Sequence, residues 1–359
     1  MKLAIVVGTR PEIVKMAPLI RAAAARGLRP LVAHTGQHYS FEMDAVFFRE
    51  LGLPEADVNL EVGSGAAAAQ LAAIVEGMGA WVERERPDWV LVEGDTNSVL
   101  GAALAAHKSG VRVGHVEAGL RSFDRGMPEE LNRILADHIS DLLFAPTERA
   151  AEQLAREGFP SERVHVTGNT VVDELLFQRG RAVSSGARAK HGVDPRRYML
   201  ATVHRAENTD DASRLRGIVD GLGGSAVRLD MPVLCALHPR TRARFEELGI
   251  ELPGGVRVLP PLPYLEFLGL HAEAALMLTD SGGLQEEACI LGVPCVTMRD
   301  NTERPESLEV GSNRLAGAEA ARIVEAATVM IGLARDWRQP FGDGHASERI
   351  LDLLATPSR

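Results

Sequence analysis

The 359-residue chain predicts an α/β fold of two Rossmann-like, doubly wound domains facing across a cleft. Three observations carry that expectation. Short β-rich apolar runs alternate with helical patterns along the whole length, which is the signature of βαβ units. Continuous apolar runs such as Trp89-Val90-Leu91-Val92 fit parallel strands covered on both faces. The alternation also pauses in a polar, turn-rich stretch from Ser184-Ser185-Gly186 to Pro195 and then restarts, as at a passage between domains.

In the first half, strands are expected near residues 3–7, 30–34, 89–92, 111–116, 142–145 and 164–167, with helices between them. In the second half they are expected near 198–203, 232–237, 256–259, 275–278 and 295–298. In open sheets of this kind ligands sit at the carboxyl ends of the strands, so those ends are where chemistry is sought. Composition narrows the classes. With 45% hydrophobic and 25% charged residues the chain reads as soluble and globular. A formal net charge of −10 argues against a nucleic-acid surface, which needs clustered Lys and Arg, so any bound anion must be met locally. Cys235, Cys289 and Cys295 have no metal-binding spacing and fit reduced, buried thiols. No segment approaches a membrane span, and the first apolar run is too short for a secretory leader, so a cytoplasmic protein is expected.

The densest signal is Thr279-Asp280-Ser281-Gly282-Gly283-Leu284-Gln285-Glu286-Glu287-Ala288. It reads as a strand, a turn at Ser281-Gly282-Gly283, and a helix from Leu284 to Leu291 whose first free N–H groups face the turn. Such a terminus binds anions, and equally a Ser cap with two glycines serves a plain strand–helix junction. The first strand ends in Gly8-Thr9-Arg10-Pro11-Glu12, with Lys15 one helical turn further on, so two cations meet a helix start. Strand three runs into Glu93-Gly94-Asp95-Thr96, strand four into His115-Val116-Glu117, and a charged loop enters a helix at Glu129. Asp95, Glu117 and Glu129 thus fit an acid–base set, since neighbouring carboxylates push each other's pKa values apart. Singly, each also fits a helix cap, a first-turn acid or a partner for Arg121. In the second half His204-Arg205 and His238-Pro239-Arg240 close two adjacent strands and suit a diphosphate. There is no HExxH or Cys/His spacing for a metal, no P-loop and no G-x-S-x-G. Gly63-Ser64-Gly65 mimics a dinucleotide fingerprint but does not open the first βαβ unit.

Taken in order, Gly8 to Glu12, Gly94 to Thr96, His115 to Arg121, Met127 to Arg133, His204-Arg205, Asp280 to Glu287 and Thr302 to Glu306 resemble the non-hydrolysing UDP-N-acetylglucosamine 2-epimerases across nearly the whole chain. The resemblance implies the glycosyltransferase-B-like architecture. The N-terminal domain would span 1–170, with a final helix in 345–359 packing back on it, and 171–344 would bind the UDP moiety. It implies reversible conversion of UDP-GlcNAc to UDP-ManNAc without NAD or metal, by anti elimination of UDP to 2-acetamidoglucal and re-addition. Asp95, Glu117, Glu129 and His204 would be the catalytic residues. Arg10, Lys15, Arg133, Arg205, His238, Leu262, Phe267, Ser281, Gly282, Gly283, Glu287 and Arg304 would bind substrate, with Glu287 at the ribose and Leu262 and Phe267 beside uracil. A cytoplasmic homodimer supplying ManNAc-type sugars for surface polysaccharide is the family expectation. A hydrolysing relative releasing ManNAc, and a glycosyltransferase of the same fold, are the alternatives. The segment Gln37-His38-Tyr39-Ser40-Phe41-Glu42-Met43 is two residues longer than in some members, in a region that forms an allosteric UDP-GlcNAc site in several bacterial enzymes.

Overall fold

The structure is a computed structural model and describes residues 1–37, 41–237 and 239–356. His238 and residues 38–40 of the longer loop lie outside the described residues. The chain divides into two compact units, one made of Met1–Glu174 with Phe341–Arg359 and the other of Leu175–Pro340.

The first unit runs β1 (Leu3–Val7), α1 (Arg10–Ala25), β2 (Leu31–His34), α2 (Phe41–Glu50), β3 (Val58–Asn59), α3 (Ala67–Glu85), β4 (Trp89–Glu93), α4 (Asn97–Lys108), β5 (Arg112–Val116), α5 (Pro128–Ile139), β6 (Leu142–Ala145), α6 (Glu148–Arg156) and β7 (Val164–Val166). Helix α7 (Thr170–Val183) contains the division between the units. The seven strands pair in parallel in the order β3-β2-β1-β4-β5-β6-β7, so the order reverses between β1 and β4. β1 and β4 are buried at every residue, which explains their apolar runs, interrupted only by Glu93 at the end of β4. Against one face lie α3 and α4, where Ile74, Met78 and Trp81 recur at helical spacing and meet Val99, Ala102 and Ala106. Each large side chain buried in this way contributes about 1.5–3 kcal/mol.

The second unit continues with α8 (Ala187–His191), β8 (Met199–Thr202), α9 (Ala206–Thr209), α10 (Ala212–Leu229), β9 (Val233–Ala236), α11 (Pro239–Glu247), β10 (Val256–Leu259), α12 (Tyr264–Ala272), β11 (Leu276–Thr279), α13 (Gly282–Leu291), β12 (Cys295–Thr297), α14 (Pro305–Glu309), β13 (Asn313–Leu315) and α15 (Ala320–Met330). Its parallel sheet has the order β10-β9-β8-β11-β12-β13, reversing between β8 and β11. The chain then returns to the first unit as α16 (Ala346–Ala355). Asp173 accepts from the Ser347 N–H at 2.8 Å, Arg349 donates to the Thr167 carbonyl at 3.0 Å, and Arg26, just past the end of α1, pairs with Asp352 at 2.6 Å. These contacts hold α16 on the first unit.

Two strands escape the sequence pattern. β3 has two residues and β13 reads Asn-Arg-Leu, so neither offers the apolar run that marks a parallel strand. Gly282 and Gly283 also differ from expectation, because they form the first turn of α13 rather than a turn ahead of it. Gly is costly in a helix interior, but the first residues of a helix are where its poor propensity matters least. Among the described residues no helix is long and apolar enough to cross a membrane.

Gly119 shows how tightly the loop after β5 is packed. Its φ is 84°, and a Cβ there would press on the Ala150 carbonyl oxygen and lie 2.9 Å from Leu154 Cγ. Gly110 has a similar φ of 72° but open space around it. Gly110→Ala is therefore expected to cost about 1–2 kcal/mol for the left-handed backbone alone. Gly119→Ala should cost at least about 2 kcal/mol more, through overpacking. Denaturant unfolding of the two variants side by side checks this, and equal losses would mean that the Ala150 contact carries no weight.

Candidate active site

In the first unit, the carboxyl ends of β1, β4 and β5 adjoin the reversal in strand order and bring buried charged groups together. Lys15, one turn into α1, places its ammonium 2.9 Å from Glu93 and in an ion pair with Glu117. Glu93 ends β4 and is 1% exposed, while Glu117 follows β5 and is buried with a φ of 66°. A non-glycine residue in the left-handed region is uncommon, and such strain concentrates at functional positions. Asn169 also donates to Glu117 at 3.2 Å. Burial raises Glu93 well above the ordinary carboxylate range; Lys15 opposes the shift and Glu117 adds to it.

Asp95 lies in the turn after β4, while the adjacent Thr96, not Asp95, caps α4 by accepting from the Ser98 and Val99 N–H groups. Arg133 of α5 forms ion pairs with Asp95 and, at 2.6 Å, with Glu130. Asn132 donates to the Asp95 carbonyl at 3.0 Å. Glu129 is exposed in the first turn of α5, whereas its neighbour Glu130 is buried and accepts from the Ser122 and Phe123 N–H groups. Arg121 pairs with Asp137 at 2.7 Å and Glu157 at 2.6 Å. Asp137 in turn holds His115 Nδ1 at 2.7 Å, while His115 Nε2 lies 2.8 Å from the Gly94 carbonyl and so steadies the turn that presents Asp95. The Arg10 guanidinium stacks over Phe47 at 4.8 Å from the ring centre.

The second unit repeats the geometry at its own reversal. His204 and Arg205 follow β8, Asp280 to Gly283 follow β11, and Arg299 follows β12. Ser281 is the residue before α13 and its side chain makes no cap bond, leaving the first N–H groups of the helix for another acceptor. Arg205 lies beside this start: a Cβ on Gly282 would be 3.8 Å from Arg205 Nη2, and among the described residues Arg205 Nε is buried without a partner. Glu303 is clamped by Arg299 at 2.9 Å; burial would raise its pKa, but hydrogen bonds and charge from Arg299, with Arg205 nearby, bring it down to about 2. Arg304 bonds Glu286 at 3.1 Å. The rings of Phe267 and His271 of α12 lie 5.9 Å apart, tilted by 60°, and Glu287 of α13 lies 3.7 Å from His271 Nδ1, bringing two of the residues assigned to the nucleoside into one neighbourhood. Leu262 is half-buried in the segment ahead of α12. A helix N-terminus with a guanidinium beside it has the chemistry to hold a phosphate anion.

Three residues near these sites have no place in the sequence-based assignment. Glu93 and Glu130 are missed because burial, not residue type, makes them notable. Glu12 had a readable signal in the Thr-x-x-Glu spacing of a capping box. It accepts from the Gly8 N–H at 2.5 Å, the Thr9 N–H at 3.1 Å and the Thr96 hydroxyl at 2.5 Å. Burial nevertheless pushes its pKa up to about 7 from 4.5, against the lowering effect of those bonds. The folded state therefore holds this proton more tightly than the unfolded chain. The resulting stability is full below pH 4.5 and is lost as pH rises through about 7, a change of about 3 kcal/mol. Glu12→Gln should remove that dependence. Urea unfolding is expected to show the wild type losing about 3 kcal/mol relative to the variant between pH 4.5 and 8, whereas parallel curves would mean that Glu12 is ionised throughout.

Comparison with known proteins supports the sequence resemblance. The family model described as UDP-N-acetylglucosamine 2-epimerase matches residues 21–355. The crystal structure of Methanocaldococcus jannaschii UDP-GlcNAc 2-epimerase in complex with UDP-GlcNAc and UDP superposes with a TM-score of 0.90 at 46% identity, covering 99% of both chains. The UDP-GlcNAc 2-epimerase from Neisseria meningitidis, bound to UDP-GlcNAc, superposes with a TM-score of 0.88 at 32% identity, again over 99% of both chains. Among curated relatives, UDP-2,3-diacetamido-2,3-dideoxy-D-glucuronate 2-epimerase of Pseudomonas aeruginosa is 42% identical over 99% of each chain. These neighbours carry the glycosyltransferase-B-like pair of Rossmann-like sheets found here. By family match and full-length likeness together, the chain belongs to the UDP-N-acetylglucosamine 2-epimerase family.

Proposed function

We propose that the chain interconverts UDP-GlcNAc and UDP-ManNAc at C2 without hydrolysis. The observation that carries the proposal is the grouping of carboxylates at the strand-order reversal of the first unit, Asp95 on Arg133 and Glu117 on Lys15. Family membership supports it, as does the likeness to structures that contain UDP-GlcNAc or UDP.

The C2 proton of the sugar is not next to a carbonyl, so a base alone is insufficient, and departure of the diphosphate must build positive character at C1. One carboxylate takes the C2 proton, its electron pair becomes the C1–C2 double bond, and UDP leaves with the C1–O pair. Protonation of C2 from the opposite face and return of the diphosphate oxygen to C1 complete the exchange. Asp95, Glu117 and Glu129 are assigned the two proton transfers. Arg133 and Lys15 neutralise Asp95 and Glu117 respectively and fix their direction. His204, Arg205 and the start of α13 are assigned the leaving diphosphate, Arg10 and Arg304 further substrate contacts, and Phe267, Leu262 and Glu287 the nucleoside. A general acid–base group of this kind contributes about 10²–10⁴-fold to the rate. The family expectation of a cytoplasmic homodimer serving surface polysaccharide is retained as part of this reading and rests on the resemblance alone.

The Pseudomonas relative favours a second reading, in which the natural substrate is a UDP-diacetamido uronate undergoing the same C2 chemistry. A proton NMR time course with each sugar nucleotide separates the readings. UDP-GlcNAc should yield UDP-ManNAc with no free ManNAc, and Glu117→Gln should lower kcat by about 10²–10⁴-fold with UDP affinity changed at most a few-fold. Free ManNAc as the dominant early product would instead identify a hydrolysing enzyme. Turnover of the uronate alone would establish the second reading.

A further inference from the structure

Asp280 follows β11 with 0% exposure and sits under the turn that carries His204. Its carboxylate accepts from the His204 N–H at 3.0 Å, the Arg205 N–H at 3.0 Å and the Asn208 amide at 3.2 Å. Its other oxygen lies 3.1 Å from His204 Nδ1. A carboxylate can only accept hydrogen bonds, so this geometry requires the proton of a neutral His204 ring to sit on Nδ1. The ring is 43% exposed while the carboxylate beneath it is fully covered, so Nε2 is the nitrogen left for a ligand.

We infer that Asp280 is a positioning residue for the reaction: through Nδ1 it fixes the His204 tautomer and through the Arg205 N–H it sets the adjacent cation, so that both meet the leaving diphosphate. This rests on the reading of His204 and Arg205 as diphosphate contacts. Burial would raise the pKa of Asp280, but the bonds from His204, Arg205 and Asn208 hold it below the usual carboxylate range, so the acceptor is ionised at neutral pH. With Nδ1–H committed to Asp280, Nε2 of a protonated ring donates to the diphosphate oxygen as the C1–O bond breaks. The charge developing on that oxygen is met without the ring having to reorient. Asp280 therefore does for His204 what a buried carboxylate does for the histidine of any acid–base pair: it selects one tautomer and fixes the ring's orientation. Asn208 completes the support, because its amide also donates to the Met298 carbonyl at 3.0 Å while its oxygen accepts from Arg214 at 3.0 Å.

The test has two parts. Nitrogen-15 NMR of histidine-labelled wild-type protein, with His204→Asn used for assignment, should show neutral His204 protonated at Nδ1; protonation at Nε2 would overturn the inference. This measurement needs no turnover, so it stands or falls separately from the epimerase reading, and it remains decisive if Asp280→Asn fails to fold. The second part is a double-mutant cycle on kcat and on UDP affinity. Asp280→Asn should lower kcat and UDP affinity each by about 10-fold or more in the wild type, but by less than about twofold in the His204→Asn background. Equal losses in both backgrounds would make Asp280 a loop anchor only and contradict the proposal.

Discussion

The first unit depends on one interaction, the Lys15 ammonium lodged between Glu93 and Glu117. Removing two carboxylates from water costs several kcal/mol each, and a single cation between them lowers that cost only if all three are held in register. The register comes from topology. β1, β4 and β5 are neighbours in a parallel sheet, so their carboxyl ends deliver α1, Glu93 and the Glu117 turn to one spot. The shared lysine also ties the first helix to the two strands that present acidic groups. Deleting one carboxylate would leave a different charge balance, not an inert gap. The raised pKa values of Glu12 and Glu93 mark the same place: burial raises both, and neighbouring carboxylates add to the shift.

The second unit meets the converse problem with converse means. In the proposed reading this unit meets an anion, and the positive potential for that comes from the start of α13 and from Arg205 rather than from a dense cluster of lysines. That economy agrees with a chain of net charge −10. Acidic residues here act as anchors. Asp280 fixes the His204 turn, Glu303 holds Arg299, and Glu286 holds Arg304. In the first unit a cation organises carboxylates; in the second, carboxylates organise cations and backbone N–H groups.

Much of this was legible in the sequence because parallel strands buried on both faces leave unbroken apolar runs. Trp89 to Val92 is an example, and the residue types at their carboxyl ends can then be read directly. The Gly-Gly pair at the start of α13 showed an anion-competent terminus but not that the glycines belong to the helix itself. β3 and β13 were hidden by being short and polar at the sheet edges. Within the site, charge was legible and partnership was not. Lys15 read as a cation beside Arg10 and is found between carboxylates; Glu129 read as the acid of its loop, while the buried position there belongs to Glu130. Such pairings join residues 38 to 102 positions apart in the chain, which no local pattern encodes.

If the carboxylates of the first unit move a proton at C2 while UDP is detached, hydrogen from solvent enters the product at that carbon. Incubation with UDP-GlcNAc in deuterium oxide, with the C2 position of product and recovered substrate followed by NMR and mass spectrometry, tests it most directly. UDP-ManNAc carrying deuterium at C2 is the expected product. UDP-ManNAc that retains only protium there would contradict it.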